Sequence, residues 1–349
     1  MAPAIRHFPA RRDINVRIPS DVLKCVVYVG GAADRVYRGT AFAVALEEND
    51  QTGSFRFPYL VTAKHVAEKI EGKAFLVRVN MSDGSVQDLE ANYLPGEVVN
   101  WHKHPTDQTA DVAVTPWFLP SKADLKLIPV SMMLTTEMIG QEGIGPGDEA
   151  YITGLFSYHQ GKSKNTPIVR VGNIAMLPED KVRVKGANSA ETGVEAYLVE
   201  ARSIGGLSGS PVFVHPTINI VNSFFKWGTN QTQPAIVTSG TLYLLGLMCA
   251  HYDVELEDIE GTPIAGVAQG VNVGVGVVIP AQKITDIILG PELTEIRTEM
   301  KRQRTKRMAA QPDWLEKERP FTKEDIQDAL SKSTRRIEAP KAEKEEDQA

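Results

Sequence analysis

The sequence predicts an all-β protein, because short strand-like segments follow one another along most of the chain with few helical periodicities between them. The segments are rich in Val, Ile, Tyr and Phe, and several alternate apolar with polar positions. Clusters of Gly, Pro, Asn and Asp separate them. The candidate strands are 22–28, 39–46, 59–62, 75–79, 112–114, 149–153, 168–174, 196–200, 212–215, 242–248 and 273–279. Composition alone does not choose between a sandwich and a barrel.

The bulk properties predict a soluble globular protein. The chain has 349 residues, of which 42% are hydrophobic and 23% charged, and this length suits one large domain or two ordinary ones. A net charge of −6 gives no reason to expect nucleic acid as the main partner. Residues 1–24 contain no continuous apolar stretch, and the apolar window 242–250 is too short to span a bilayer. We therefore expect a cytoplasmic protein without membrane attachment, in which Cys25 and Cys249 are reduced thiols.

Three short, widely separated motifs contain a histidine, an aspartate and a serine in that order. The motifs are Leu-Val-Thr-Ala-Lys-His-Val at 60–66, Ala-Asp-Val-Ala-Val at 110–114 and Gly-Gly-Leu-Ser-Gly-Ser-Pro-Val-Phe at 205–213. A serine hydroxyl is a poor nucleophile at neutral pH and needs a base within hydrogen-bond reach. A histidine oriented by a carboxylate is a known solution to that requirement, in this chain order among others.

With these motifs the chain resembles the trypsin/chymotrypsin-like serine peptidases of the PA clan, and most closely the bacterial HtrA-type protease domain. Segments 147–154, 169–174 and 274–289 match further landmarks of that family in the correct order. The resemblance implies two six-stranded antiparallel β-barrels of chymotrypsin-like type, at about 21–135 and 140–280, followed by a C-terminal helix. It also implies a serine endopeptidase that forms an acyl-enzyme on a protein or peptide substrate and needs no metal or cofactor.

Within these motifs His65 is the candidate base and Asp111 the group that orients it. The chain has six other histidines, but only His65 lies in the Thr-Ala-x-His-Val string. Asp111 would accept the proton-bearing nitrogen of His65 and stabilise the imidazolium. Asp107 is the obvious rival, but it lacks the apolar run that follows Asp111.

Ser208 is the candidate nucleophile, because it alone lies in the Gly-x-Ser-Gly frame of the family, whereas Ser203 and Ser210 do not. The flanking glycines allow the backbone a tight path that aims N–H groups at one point. The N–H groups of Gly206 and Ser208 would form the oxyanion hole. The alternative is that this segment is only a hairpin turn.

Two residues depart from the family pattern. Leu207 stands where trypsin-type zymogens carry an acidic residue, so activation by N-terminal cleavage is not implied. Cys249 stands where the family has a serine near the buried aspartate. The side chain expected beside Asp111 therefore differs from that of the family.

The same resemblance indicates where a peptide would bind. The strand containing Met248, Cys249, Ala250 and His251 would offer main-chain groups to an extended peptide. Arg202 falls near the floor of the primary specificity pocket, where it would favour an acidic side chain, with His251 assisting. Gly274 and Gly276 would leave the wall of that pocket open.

Other interpretations of this region remain open. The acidic insertion 253–260 could attract basic substrates, and Arg202 and this insertion could also be plain solvated loops. A second insertion at 215–241 is longer than the usual hairpin and could frame the site.

The predicted organisation is an N-terminal extension at 1–20, a peptidase domain at 21–290 and a charged helical or disordered tail at 291–349. The tail has 14 basic and 14 acidic residues among 59, too few apolar groups to make a core of its own. It is too short and too charged for a PDZ domain. A helix capped at 322–325 and running to 330, a solvated basic helix face at 301–307 and disorder over 338–349 are expected.

Two alternatives to a constitutive protease stay open. The chain could be a protease-fold binding or scaffold protein whose oxyanion loop is collapsed. It could also be a latent effector protease that a protein partner activates by docking on the C-terminal tail.

Overall fold

The computed structural model describes residues 18–50, 53–72, 74–91, 99–156, 160–161, 163–185, 191–201, 207–216, 241–254, 271–310 and 326–327. This part of the chain is mostly β-strand with a few helices. The strands are β1 (Val26–Gly31), β2 (Tyr37–Asp50), β3 (Gly53–Thr62), β4 (Phe75–Asn80), β5 (Val86–Ala91), β6 (His102–Lys103), β7 (Ala113–Pro116), β8 (Ile128–Pro129), β9 (Glu149–Gly154), β10 (Ile168–Met176), β11 (Lys181–Lys185), β12 (Glu191–Glu195), β13 (Tyr197–Glu200), β14 (Pro211–His215), β15 (Tyr243–Val254) and β16 (Val271–Pro280). The helices are α1 (Ser20–Leu23), α2 (Lys64–Glu68), α3 (Thr136–Glu142), α4 (Ala281–Ile288) and α5 (Pro291–Ala310), with a 3-10 turn at Val130–Met132.

Strands β9, β10, β13, β14, β15 and β16 form a closed antiparallel barrel, in the order β10-β13-β16-β15-β14-β9. Every pair in the ring is antiparallel, so this six-stranded barrel agrees with the one that the resemblance implies at 140–280. Its strands alternate inward apolar residues with outward positions, and a core cluster that includes Ile152, Val199, Val212 and Leu245 fills it. Strands β11 and β12 form a separate hairpin.

The N-terminal half is an eight-stranded sheet in the order β5-β4-β1-β2-β3-β7-β6, with β8 paired to β2. The β2–β8 pair is parallel, while the other pairs are antiparallel. The sequences of the inner strands are nearly continuous apolar runs, because both faces of these strands are buried. The hydrogen bonds between described residues do not close this sheet into a ring, so a first closed barrel of six strands stays a prediction.

The connection between β9 and β10 packs back onto the N-terminal sheet. Asn80 on β4 donates from its amide to the carbonyl oxygen of Asn165 at 3.0 Å, and accepts the Asn165 N–H at 2.7 Å. The Asn165 amide donates in turn to the Arg78 carbonyl oxygen at 2.7 Å. Tyr28 on β1 adds a hydrogen bond to the Phe156 carbonyl oxygen at 2.9 Å. These polar contacts join the two halves of the molecule beside the site described below.

Helix α5 does not extend into solvent but packs on the outer face of the N-terminal sheet. Leu293, Ile296 and Met300 are buried, and they recur at helical spacing on one face. Ile326 lies in the same crevice and is buried as well. The apolar face of α5 is therefore buried against the N-terminal sheet, because the charged C-terminal segment has no core of its own.

Arg297 is a buried cation at the centre of this contact. It bonds to Glu48 Oε1 at 2.8 Å, to the Tyr59 hydroxyl at 3.1 Å, to the Ile288 carbonyl oxygen at 2.5 Å and to Thr294 Oγ1 at 2.8 Å. Its side chain is only 5% exposed. Because burial of a charge is tolerated only when its donors are satisfied, these bonds fix the position of α5 on the sheet.

His102 on β6 contacts the first turn of α5. Its Nδ1 lies 2.7 Å from Glu292 Oε2, and its side chain is 5% exposed. Burial lowers the pKa of His102 below its usual value, and the neighbouring Glu292 only partly offsets this shift. The ring is therefore neutral in the folded protein.

Several sequence predictions concern residues outside this description. The expected helix at 322–330 is described only at 326–327, and the expected disorder at 338–349 lies outside the described residues altogether. The boundaries at 20/21 and 290/291 stay predictions. No helix in the described ranges combines the length and apolarity needed to cross a membrane.

We predict that Arg297→Ala lowers the free energy of unfolding by about 3 kcal/mol, because it removes the donor of the buried Tyr59 hydroxyl and of the Ile288 carbonyl oxygen and leaves Glu48 with Lys301 alone. Urea unfolding measures the change. Arg302→Ala is the matched control on the same helix: its exposed pair with Glu299 contributes less than about 1 kcal/mol. Equal losses for the two variants would contradict the role given to Arg297.

We predict that the folded protein loses stability as the pH falls below about 6.5, where unfolded histidines protonate. His102 contributes to this loss because its pKa is lowered in the fold, so the unfolded chain binds the proton first. Urea unfolding between about pH 7 and pH 5 should show a smaller loss for His102→Gln than for the parent protein. Glu292→Gln should enlarge the loss, since Glu292 raises the pKa of His102. An unchanged pH dependence in both variants would contradict this assignment.

Candidate active site

His65 lies in the first turn of α2, directly after the buried end of β3. Strand β3 pairs with β2 on one side and β7 on the other, and its last residues Leu60, Val61 and Thr62 are fully buried. Ala63 is also fully buried, so the small side chain lets the chain turn at this point. The His65 side chain is 36% exposed, which leaves one side of the ring open.

Asp111 accepts two hydrogen bonds from His65. Its Oδ1 accepts the His65 backbone N–H at 2.9 Å, and its Oδ2 lies 2.7 Å from Nδ1 of the ring. The pairing places the proton of a neutral ring on Nδ1 and leaves Nε2 as an acceptor. Asp107 bonds instead to Thr109 and Lys283, so the geometry favours Asp111 over its rival.

Ser208 lies on a tight turn that packs against the end of β3. Ser210 N–H donates to the Leu207 carbonyl oxygen at 3.0 Å, and Thr40 N–H donates to the Ser208 carbonyl oxygen at 3.1 Å. Gly209 N–H donates to the Met248 carbonyl oxygen at 2.8 Å. The turn is thus held from both halves of the molecule.

Gly209 makes this close approach feasible. Its φ is +84°, and a Cβ at this position would lie 2.1 Å from the Thr40 carbonyl oxygen and 2.5 Å from Thr62 Oγ1. Thr62 is three residues before His65, so the absence of a side chain at Gly209 brings the serine turn against the segment that carries the histidine.

Gly154 at the end of β9 packs against Leu207 and Ser210 of the same turn. A Cβ at Gly154 would lie 2.2 Å from Ser210 Oγ and 2.6 Å from Leu207 Cδ2. Leu207 and Ser210 are fully buried, while Ser208 between them is half-buried. Gly154 lies in a segment that matches the family, but no sequence signal assigns it this packing role.

Within the part of the chain that the structure describes, the Ser208 hydroxyl donates to the Cys249 carbonyl oxygen, at 3.4 Å, rather than to the His65 ring. The bond is long, and a rotation about the Ser208 Cα–Cβ bond moves the hydroxyl between staggered positions. Catalytic hydrogen bonds are often loose without a substrate.

The charge of Asp111 also acts on the Cys249 thiol. Burial, and then the charge of Asp111, raise the pKa of Cys249 well above its usual value, so the thiol stays protonated. Cys25 and Cys249 are both free and buried.

Beside the serine, one edge of β15 has no partner strand among the described residues. Ala250, His251 and Tyr252 pair with β16, but β14 covers the other edge only as far as the Pro211–Leu247 pair. Beyond Met248 that second edge has no partner strand among the described residues. An extended peptide could therefore add to it by main-chain hydrogen bonds.

The two candidate wall glycines have different surroundings. No atom lies within 4 Å of a Cβ built on Gly274, whose φ is +78°. A Cβ on Gly276 would lie 2.5 Å from Met248 Cε, so the fully buried Met248 side chain occupies the space in front of Gly276. Met248 thus fills the space expected to be open at Gly276, whereas no described atom occupies the space beside Gly274.

The remaining candidates lie outside the described residues. These are Arg202, Gly206 and most of the insertions at 215–241 and 253–260; only the backbone of His251 is described. Among the described side chains, no group of three or more His, Cys, Asp or Glu residues is arranged to hold a metal ion. The structure thus joins His65 to Asp111 by two hydrogen bonds and packs the Ser208 turn against Thr62, three residues before His65.

Comparisons with known proteins give little beyond this geometry. No family model matches the chain, and no curated protein matches it. Among solved structures, the crystal structure of Deg5 matches with a TM-score of 0.39 and 15% identity, over 76% of this chain and 88% of that chain.

We predict that Gly209→Ala lowers the free energy of unfolding by at least about 3 kcal/mol, because its Cβ would overlap Thr40 and Thr62. Gly84→Ala is the matched control: its φ is +83°, but no atom lies within 4 Å of its Cβ. That variant should lose only about 1 kcal/mol, from the backbone conformation alone. Urea unfolding compares the two, and similar losses would contradict the close approach at Gly209.

Proposed function

We propose that this chain is a serine endopeptidase in which Ser208 is the nucleophile, His65 the general base and Asp111 the group that orients the base. The proposal rests on one observation: the Asp111 carboxylate accepts two hydrogen bonds from His65, one from its backbone N–H and one from ring Nδ1. That pairing supplies the tautomer a base needs, with a free Nε2 lone pair. The serine turn packed against Thr40 and Thr62 supports the same assignment.

The proposed reaction is an acyl transfer in two steps. His65 Nε2 takes the Ser208 proton while Oγ attacks the peptide carbonyl carbon, and the N–H groups of Gly206 and Ser208 stabilise the oxyanion. The imidazolium then gives its proton to the leaving amine, which leaves an acyl-enzyme ester on Ser208. Water, activated by the same base, hydrolyses the ester and restores the hydroxyl.

The proposed substrate is an extended protein segment or peptide that adds to the open edge of β15 beside Ser208. Specificity would come from residues around Met248, Gly274 and Arg202, of which Arg202 would favour an acidic side chain. Metal ions and cofactors have no step in this mechanism.

The wider proposal follows the family resemblance. We propose a chymotrypsin-like double barrel of HtrA type at 21–290, in a cytoplasmic protein. In this arrangement α5 belongs to the 291–349 segment and packs on the barrel domain through Arg297.

A second candidate function is supported by one observation, the hydrogen bond from the Ser208 hydroxyl to the Cys249 carbonyl oxygen. A serine held in that position is not activated by His65. The chain would then be a latent protease that a partner switches on, or a binding protein that uses the open β15 edge without cleavage.

We predict that a fluorophosphonate serine-hydrolase probe labels the purified protein at Ser208, because a base-activated hydroxyl attacks phosphorus as it attacks a carbonyl carbon. Gel fluorescence and mass spectrometry locate the adduct. Ser208→Ala should abolish labelling, and His65→Gln should slow it by at least about 100-fold. Labelling of Ser210 instead, or none in folded protein, would overturn the constitutive-protease proposal and favour the latent or binding alternative.

A further inference from the structure

The segment that precedes Asp111 forms a turn closed by the side chain of His104. Ring Nδ1 accepts the Asp107 N–H at 2.9 Å and the Thr106 N–H at 3.4 Å, and the His104 carbonyl oxygen accepts from the Gln108 amide at 3.4 Å. Since Nδ1 accepts, the neutral ring carries its proton on Nε2. That nitrogen lies 3.3 Å from Asp286 Oδ2 on α4. The ring is buried, so it serves both the turn and the helix.

Asp107 anchors the same turn to α4 at a second point. One of its oxygens accepts from the Thr109 N–H at 3.0 Å and from the Thr109 hydroxyl at 2.6 Å. The other pairs with Lys283 at 2.9 Å, and Lys283 also pairs with Glu195 at 2.8 Å. The Lys283 side chain is 13% exposed, so this ion pair is poorly screened by solvent.

The turn leads directly into the residue that holds the base. Ala110 N–H donates to the Asp107 carbonyl oxygen at 3.3 Å, and Asp111 follows with its two bonds to His65. Lys64, next to His65, donates from Nζ to the Gln108 carbonyl oxygen at 2.8 Å. A shift of the turn would therefore be transmitted to Asp111 within four residues of Asp107, and small misplacements of a catalytic group cost much of the rate.

We propose that His104 and Lys283 are positioning residues: His104 closes the turn, Lys283 ties the turn to helix α4, and together they set the location of Asp111 and with it the reactivity of Ser208. Neither residue touches the reacting groups. The effect on reactivity rests on the proposed function, whereas the effect on the His65–Asp111 hydrogen bond does not.

The first test compares two substitutions at one position. In His104→Asn the amide oxygen can accept the Asp107 and Thr106 N–H groups much as Nδ1 does, whereas His104→Leu offers no acceptor. We expect His104→Leu to lower the maximal rate of fluorophosphonate labelling by about tenfold or more, with the probe's half-saturation concentration nearly unchanged. His104→Asn should restore the rate to within about threefold of the parent protein. Equal rates for folded His104→Leu and the parent protein would overturn the proposal.

The second test compares the two ends of the Lys283 ion pair. Lys283→Met removes the anchor of the Asp107 turn, while Glu195→Gln removes the other carboxylate and leaves the Asp107 contact in place. Each variant removes an ion pair of Lys283, but only Lys283→Met releases Asp107, and Glu195 is the more exposed of the two carboxylates. We expect slower labelling by about tenfold for Lys283→Met and by less than about twofold for Glu195→Gln. Equal loss in the two variants would overturn the positioning role of Lys283.

A spectroscopic readout separates this proposal from the proposed function. In protein with ¹⁵N-labelled histidine, the His65 Nδ1–H bonded to Asp111 should give a low-field, exchange-protected proton resonance, assigned by its loss in His65→Gln. We expect the resonance to persist in Glu195→Gln and His104→Asn and to broaden or disappear in Lys283→Met and His104→Leu. If the parent protein shows the resonance but is not labelled by the probe, catalysis fails and the positioning role stands. An unchanged resonance in all four variants would overturn the positioning role whatever the labelling shows.

Discussion

The site depends on the contacts of one buried residue, Thr40 on β2. Its N–H donates to the Ser208 carbonyl oxygen, its own carbonyl oxygen accepts the Thr62 hydroxyl at 2.7 Å, and its Oγ1 accepts the Leu155 N–H at 3.1 Å. Thr40 thereby bonds to the serine turn, to the strand that precedes His65 and to the segment that follows β9. Because the residue is fully buried, none of these bonds competes with water. The backbone and hydroxyl groups of Thr40 and Thr62 therefore set the position of Ser208 relative to His65. This positioning does not require a contact between the Ser208 and His65 side chains.

The helices that follow the barrel restrain the segment that carries Asp111 in a similar way. Sequence composition indicates a charged, solvated segment after residue 290, yet Arg297 in that segment points inward, to Glu48 and Tyr59. Lys283 on α4, just before the segment, lies between Asp107 and Glu195. A charge placed in this way restrains what it contacts, since moving away would leave a buried ion unpaired. The first helix after the barrel thus contributes to the geometry of Asp111, although it follows that residue by 170 positions in the chain.

Much of the fold could be predicted from the sequence, because the inner strands are apolar runs rich in β-branched residues. Each of the expected strands, from the one ending at Tyr28 to the one ending at Ile279, overlaps a strand of the structure. The exposed edge strand β5 and the β11–β12 hairpin were missed, since their polar sequences carry no such signal. The docking of α5 was missed too, although Leu293, Ile296 and Met300 repeat at helical spacing. The high charge of this segment indicates a solvated helix, whereas three apolar positions suffice when another element supplies the rest of the core.

For the site, the motifs brought together the right residue types, but their spacing could not give side-chain torsions or long-range packing. The pairing of His65 with Asp111 follows from two strands that the sequence does predict. The Met248 side chain in front of Gly276, by contrast, depends on the register of β15 against β16, which no local pattern encodes.

The orientation of the Ser208 hydroxyl is the least predictable feature, and it is also the one on which function depends most. Turning the hydroxyl from the Cys249 carbonyl oxygen toward His65 exchanges one hydrogen bond for another, a difference of about 1 kcal/mol. Thr40, Gly154 and Gly209 hold the described part of the serine turn whichever way the hydroxyl points. A sequence selected for this backbone therefore supports both functions equally. A substrate or partner that binds along the open edge of β15 would meet the Cys249 carbonyl oxygen, the group that accepts the Ser208 hydroxyl in this structure. Binding at this edge therefore decides between the two functions.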